Sequence, residues 1–151
     1  MKWSALYIAA IVAANYGFSV FGPWMVFGAA LPPMTFVVGA VFVLRDYAQR
    51  DIGHWIFVPI IIGVGLSLAL ADPFIAVASG AAFAISEITD WAVFTATNKP
   101  LKSRILISSA ISVPADSVAF LLIAGFFSWP GLAVMVASKM LAAMIVWVAL
   151  K

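Results

Sequence analysis

Apolar residues run along this chain in long stretches broken by short turn-forming clusters. Gly22-Pro23, Asp72-Pro73, Asn98-Lys99-Pro100 and Ser128-Trp129-Pro130-Gly131 are points through which a helix does not readily continue. A membrane-spanning helix needs about 20 mostly apolar residues. The clusters divide the chain into six such stretches: about Trp3 to Phe21, Trp24 to Arg45 or a turn beyond, Trp55 to Ala71, Pro73 to Thr97, Ile105 to Phe127, and Gly131 to Leu150. Trp3, Trp24, Trp55 and Trp129 fall at span ends, where interfacial aromatics belong. No linker, low-complexity segment or internal repeat divides the chain. The pattern predicts an all-α polytopic membrane protein, a single six-helix bundle over residues 1–151.

Composition agrees with the pattern. Of the 151 residues, 66% are hydrophobic and 9% charged, where a soluble domain averages roughly a quarter charged, and the mean hydropathy is +1.16. No compact domain of this size hides that much apolar surface from water. The absence of cysteine excludes disulfides, thiolate zinc sites and thiol nucleophiles. A net charge of +2 accompanies no basic face or stacking platform, so nucleic acid is not an expected partner. The charge reads instead as topology. Lys2, Arg45, Arg50, Lys99, Lys102, Arg104 and Lys151 all lie at alternate ends of the six stretches, which places both termini in the cytoplasm. The start of the chain also has the form of a signal peptide ending near Ala13 and Ala14, but another span follows it rather than an exported domain.

Several ionisable residues lie inside the spans, where each is costly and normally faces a partner or a wet cavity. At a rise of about 1.5 Å per residue, Glu87, Asp116 and Lys139 lie roughly 15, 18 and 16 Å from the cytoplasmic ends of spans four, five and six. The expectation is that they meet around one polar midplane cavity; a structural ion cluster is the blander reading. Asp90 shares a helix face with Glu87, and Asp46 and Arg50 have the spacing of an intrahelical pair, the expected cytoplasmic gate. Asn15 and Tyr16 add polar groups to span one, while Pro32-Pro33 and Pro114 interrupt spans two and five. Interrupted spans beside buried charge point to a transporter binding site. Arg45, Arg50, Lys99, Lys102 and Arg104 also have a simpler reading as snorkelling topology determinants. His54 reads as interfacial, and the small residues around Ser79-Gly80-Ala81-Ala82 as a helix-packing surface.

No metal-binding histidine cluster, Gly-rich phosphate loop or nucleophile elbow is present, so no enzyme activity, metal or cofactor is expected. The rivals are a substrate-capturing membrane subunit of an ATPase-energised vitamin-type importer and a membrane-embedded acid/base enzyme. Binding and moving a small polar solute fits the residues best.

These residues also resemble a family, the VUT transporters of queuosine precursors. Asn15-Tyr16 is similar to an early Asn-bearing segment. Leu44-Arg45-Asp46-Tyr47-Ala48-Gln49 with Gly53 is similar to the Arg-Asp-x-x-Gln form of short members, and Ser86-Glu87-Ile88-Thr89-Asp90-Trp91 to the Ser-Glu-x-x-Asp motif. Arg104 followed by Asp116-Ser117 and Phe120 resembles the Arg to Asp-Ser-x-x-Phe span, and Lys139 a last-span lysine. The chain departs from the family in its minimal loops and in Pro32-Pro33. The resemblance implies uptake of a 7-deazaguanine such as 7-cyano-7-deazaguanine across a cell membrane, the bacterial cytoplasmic (inner) membrane or its equivalent. Glu87, Asp90 or Asp116 would then accept the guanine-type N–H edge, Lys139 or Arg104 would donate to the carbonyl, and Tyr16, Phe120 or Trp91 would stack on the ring, with Asn15 nearby. Proton coupling and assembly into a homo-oligomer are further expectations.

Overall fold

The computed structural model describes residues 2–22, 24–26, 28–125 and 127–149. Helix α1 (Lys2–Val20) leads into a short antiparallel hairpin, β1 (Trp24–Val26) and β2 (Ala29–Leu31). Then come α2 (Thr35–Ile52), a 3-10 turn (Gly53–Ile56), α3 (Phe57–Leu70), α4 (Pro73–Ala96), α5 (Leu101–Ile123) and α6 (Trp129–Ala149). Pro23, Leu150, Lys151 and the Lys102 side chain, which figured in the expected turns and charge pattern, lie outside the described residues.

The expected six separate spans are corrected in two places. From Thr35 to Leu70 helix, 3-10 turn and helix follow one another with no loop between them, so the described residues form five helical segments. Four of them are long and apolar enough to cross a membrane: Lys2–Val20, Thr35–Leu70, Ser103–Ile123 and Trp129–Ala149. Helix α4, 24 residues long, carries Ser86, Glu87, Thr89 and Asp90. Secondly, the second helix starts at Thr35 rather than Trp24. Proline cannot donate to a ladder within a helix, and Pro32-Pro33 ends the hairpin; the Thr35 N–H then bonds to the Pro32 carbonyl as the helix begins. Pro114, expected to interrupt the fifth helix, is carried inside α5.

Neighbouring side chains fix the helix directions. Met34 packs on Gly17 and Trp3 on Tyr47, so α1 and α2 are antiparallel. Ile11 packs on Gly63 and Asn15 bonds to Ser67, so α1 and α3 run parallel. The chain therefore reverses between α2 and α3. The reversal is at Gly53, whose φ of 59° lies where a side chain is disfavoured. Helices α3 and α4 are antiparallel, with Gly80 near Val64 and Trp91 near Phe57, as are α4 and α5, with Ser112 on Asp90 and Arg104 on Phe94. Gly39 meets Lys139, and Val43, Tyr47 and Ala143 share a cluster, which sets α2 and α6 parallel. Lys2, Arg50, Lys99 and Arg104 consequently come to one end of the bundle.

The distribution of polarity is inverted relative to a soluble protein. Ile61, Phe74, Val77, Ile88 and Ile145 are exposed, while Arg45, Asp46, Glu87, Asp90, Asp116 and Lys139 are buried. Apolar surfaces of this extent mark contact with an apolar phase, and backbone groups in such a phase must be satisfied within the segment, as these helices satisfy them. The fold is compatible with a membrane protein.

Candidate functional site

The buried charges form two centres. The first surrounds Arg45, which has no exposed surface. Its Nε donates to Glu87 Oε2 at 2.8 Å, its Nη2 to the Glu87 carbonyl at 3.3 Å, and its Nη1 pairs with Asp46 Oδ1 at 3.0 Å and Asp90 Oδ2 at 2.6 Å. A guanidinium suits this place because its planar fork serves several carboxylates at once. Helix α5 closes the centre with a ladder of small hydroxyls: Ser108 Oγ lies 3.2 Å from Asp46 Oδ2, and Ser112 Oγ lies 3.1 Å from Asp90 Oδ1. Serine at four-residue spacing keeps one face of α5 polar and thin enough for α2 and α4 to approach.

The second centre is one turn further along α5. Lys139 Nζ pairs with Asp116 Oδ2 and lies 3.3 Å from Ser117 Oγ. Gly39 lets α6 come this close: a Cβ there would land on the Lys139 carbonyl oxygen and 2.6 Å from Ala142 Cβ. The pair borders a cavity of about 20 Å³, also lined by Asn15, Phe18, Ser79 and Phe120. That is room for about one water molecule. Phe18 and Phe120 stack with ring centroids 5.5 Å apart and planes at 27°. The Asn15 amide donates to the Ile11 carbonyl and to Ser67 Oγ, but its Oδ1 is buried with no hydrogen-bond partner. A buried acceptor left open beside a carboxylate–ammonium pair is a place where a donor from a solute or water would be stabilised. The accessible surface, 7427 Å², matches the roughly 7,400 Å² of a closed compact chain of this mass.

The expected single midplane cavity is thus corrected. Asn15, Asp116, Lys139 and Phe120 come together around the small cavity, whereas Glu87 and Asp90 turn to Arg45. Arg45 attracts them because α2 begins eleven residues later than expected, which moves Arg45 from a span end into the interior. Asp46 and Arg50 form no pair: Asp46 points inward to Arg45 and Ser108, and half-exposed Arg50 pairs with Asp51 at 3.2 Å. Tyr16 is 54% exposed on the outer side of α1. Arg104 donates to the Phe94 carbonyl at 3.1 and 2.8 Å and covers the Phe94 ring, tying α5 to α4 at the end of the bundle. Trp91 donates to His54 Nδ1 at 3.0 Å, at the 3-10 turn. Arg45 as the hub of a cluster, and Phe18 as a cavity residue, are what sequence reasoning missed. The signal for Arg45 was its place beside Asp46, which snorkelling does not require; for Phe18, it was the spacing of one turn from Asn15.

Among the described residues, no group of three or more His, Asp or Glu side chains is placed to hold a metal ion. No family model, curated protein or solved structure matches the chain.

Proposed function

We propose that the protein is a six-pass membrane transporter, with both termini in the cytoplasm, that takes up a queuosine precursor, a 7-deazaguanine such as 7-cyano-7-deazaguanine. The reversal at Gly53 supports six passes, since it folds the long helical segment into two antiparallel arms. The collection of Lys2, Arg50, Lys99 and Arg104 at one end supports the orientation, because cytoplasmic ends retain lysine and arginine. Localisation in a bacterial cytoplasmic membrane or its equivalent follows from this reading.

The observation that carries the function is the cavity shared by Asp116, Lys139, Asn15, Phe18 and Phe120. A deazaguanine presents an N–H and an exocyclic amino group side by side, which Asp116 accepts in bidentate fashion, while Lys139 donates to the ring carbonyl. The open Asn15 Oδ1 accepts a further ring N–H. Phe18 and Phe120 part to cover the faces of the flat heterocycle. Pockets that enclose small ligands are roughly 300 Å³ or larger, so the 20 Å³ cavity must widen to take the ring, and in this closed form Asp116 and Lys139 satisfy each other. Substrate replaces that pair contact by contact, so each buried charge keeps a hydrogen-bond partner during loading.

The test is binding of 7-cyano-7-deazaguanine to the purified protein, with guanine as competitor, followed by uptake into vesicles containing this chain alone. Saturable binding that is lost in Asp116→Asn and Lys139→Ala is expected. Folded protein that binds none, or variants that bind as wild type, would refute the assignment.

A further inference from the structure

The buried charges do not balance. Among the described residues, Asp46, Glu87, Asp90 and Asp116 are buried against only two buried cations, Arg45 and Lys139. Lys139 belongs to Asp116, so the whole excess falls on the Arg45 centre: one guanidinium facing three carboxyl groups. Among the described residues no other cation is buried beside it. The elements packed around the centre bring Tyr7 from α1, Glu87 and Asp90 from α4, and Ser108 and Ser112 from α5; His54 is held away by Trp91. Two uncompensated negative charges in an apolar interior are far too costly to persist.

The hydroxyls of α5 show where compensation is accommodated. A serine has one proton to donate and two lone pairs to accept with. Ser112 Oγ lies 2.8 Å from the Ser108 carbonyl and 3.1 Å from Asp90 Oδ1. Ser108 Oγ lies 3.2 Å from the Ile105 carbonyl and 3.2 Å from Asp46 Oδ2. Each hydroxyl thus faces two acceptors with a single proton. Both contacts are satisfied when the serine donates to the carbonyl and the carboxyl group donates to the serine. Glu87 faces no such serine: its Oε2 accepts directly from Arg45 Nε, while Arg45 Nη2 goes to its main-chain carbonyl, and the N–H donated to Oε2 suits the ionised member. The two missing charges and the two serines that need a donor coincide at Asp46 and Asp90.

The path onward is polar as well. Ser112 is one turn from Asp116 on α5, and beyond Asp116 lies the water-sized cavity with the unpartnered, buried Asn15 Oδ1. We propose that the closed form holds one proton on Asp46 and one on Asp90, and that this Arg45 centre is the proton-coupling site of the transporter, separate from the substrate cavity but joined to it along α5. The coupling rests on the transport reading; the two protons do not. When the bundle opens, water reaching Arg45 solvates the carboxylates and the protons leave; when it closes again, two protons must be taken up.

The experiment has two arms. In substrate-free protein held in lipid nanodiscs at neutral pH, infrared difference spectra should show a carboxylic-acid carbonyl band that Asp46→Asn and Asp90→Asn each halve and Glu87→Gln leaves intact. Absence of the band in wild type, which needs no variant to fold, or its loss in Glu87→Gln, would overturn the assignment. In vesicles, an inward proton gradient should raise wild-type uptake of 7-cyano-7-deazaguanine several-fold, and uptake indifferent to the gradient would overturn the coupling. A chain that shows both protons yet moves no deazaguanine would refute the substrate reading and leave the two-proton site standing.

Discussion

Arg45 and Arg50 lie on the same helix, five residues apart, and their replacement by alanine should have very different consequences. Arg45 makes three charged contacts at 2.6 to 3.0 Å and is wholly buried, whereas Arg50 is 46% exposed and has one contact, at 3.2 Å, to Asp51. Removing one partner of a buried ion pair costs about 3–5 kcal/mol, chiefly because the other charge is left unpaired. In Arg45→Ala that charge is Glu87, which is stranded between α1, α2 and α4. An exposed pair is worth about 0–1 kcal/mol. The gap between the variants is then at least about 2 kcal/mol, roughly thirtyfold in the ratio of folded to unfolded protein. Denaturant unfolding in mixed micelles measures it directly. Adding Glu87→Gln to Arg45→Ala should recover part of the loss, with a coupling of about 0.5–3 kcal/mol. Arg45→Ala that unfolds no more readily than Arg50→Ala, or a double variant whose losses merely add, would refute the picture of a guanidinium hub.

Three further expectations follow from the packing. Gly39→Ala should destabilise the protein by about 1–3 kcal/mol, because its methyl meets the α6 backbone, and should weaken substrate binding by moving Lys139. Gly65→Ala, with open space around it, should be neutral or mildly stabilising; thermal unfolding and a binding titration check both. Phe120→Leu should lower affinity about two- to tenfold, from the loss of about 0.5–1.5 kcal/mol of ring stacking, while Tyr16→Ala on the outer face should leave affinity unchanged. Arg104→Ala should loosen the α4–α5 end by about 1–3 kcal/mol, through two lost charge-assisted bonds to one carbonyl, with no change in substrate affinity.

The helices and the membrane character were legible in the sequence because both depend on local facts, apolar runs and the residues that end them. The second helix was misplaced because Trp24 to Leu31 is as apolar as a helix would be. Only Pro32-Pro33 hints that this stretch is extended, and hydropathy does not distinguish an apolar hairpin from the first turns of a helix. The error then spread to the site. With α2 starting too early, Arg45 reads as a cation at a span end, free to reach the headgroups; with the helix starting at Thr35 it falls inside, where it needs anions. Depth alone placed Glu87, Asp116 and Lys139 together, whereas the structure pairs Lys139 with Asp116 and Glu87 with Arg45. What depth lacked was rotation about each helix axis, which is set by packing: Gly39 against α6 brings Lys139 to Asp116, and Ser108 and Ser112 admit α2 and α4 to α5.

On the transport reading proposed above, the division into two centres gives a small bundle a way to move a solute. A single cluster of all six charged residues would place both the substrate and its counter-charges at one point, and opening that point to one side would strip every ion of its partner together. Here Asp116 and Lys139 can part for a ligand while Glu87 keeps Arg45 and the carboxyl groups beside it in place. Helix α5 contributes polar contacts to both groups of charges, Ser108 and Ser112 at one and Asp116 at the other, with one turn between each. A shift of α5 is therefore felt at both: movement that frees Asp116 from Lys139 also pulls the serine acceptors from Asp46 and Asp90. Coupling then needs no long-range signal, because the two sites share one rigid element whose position each of them biases.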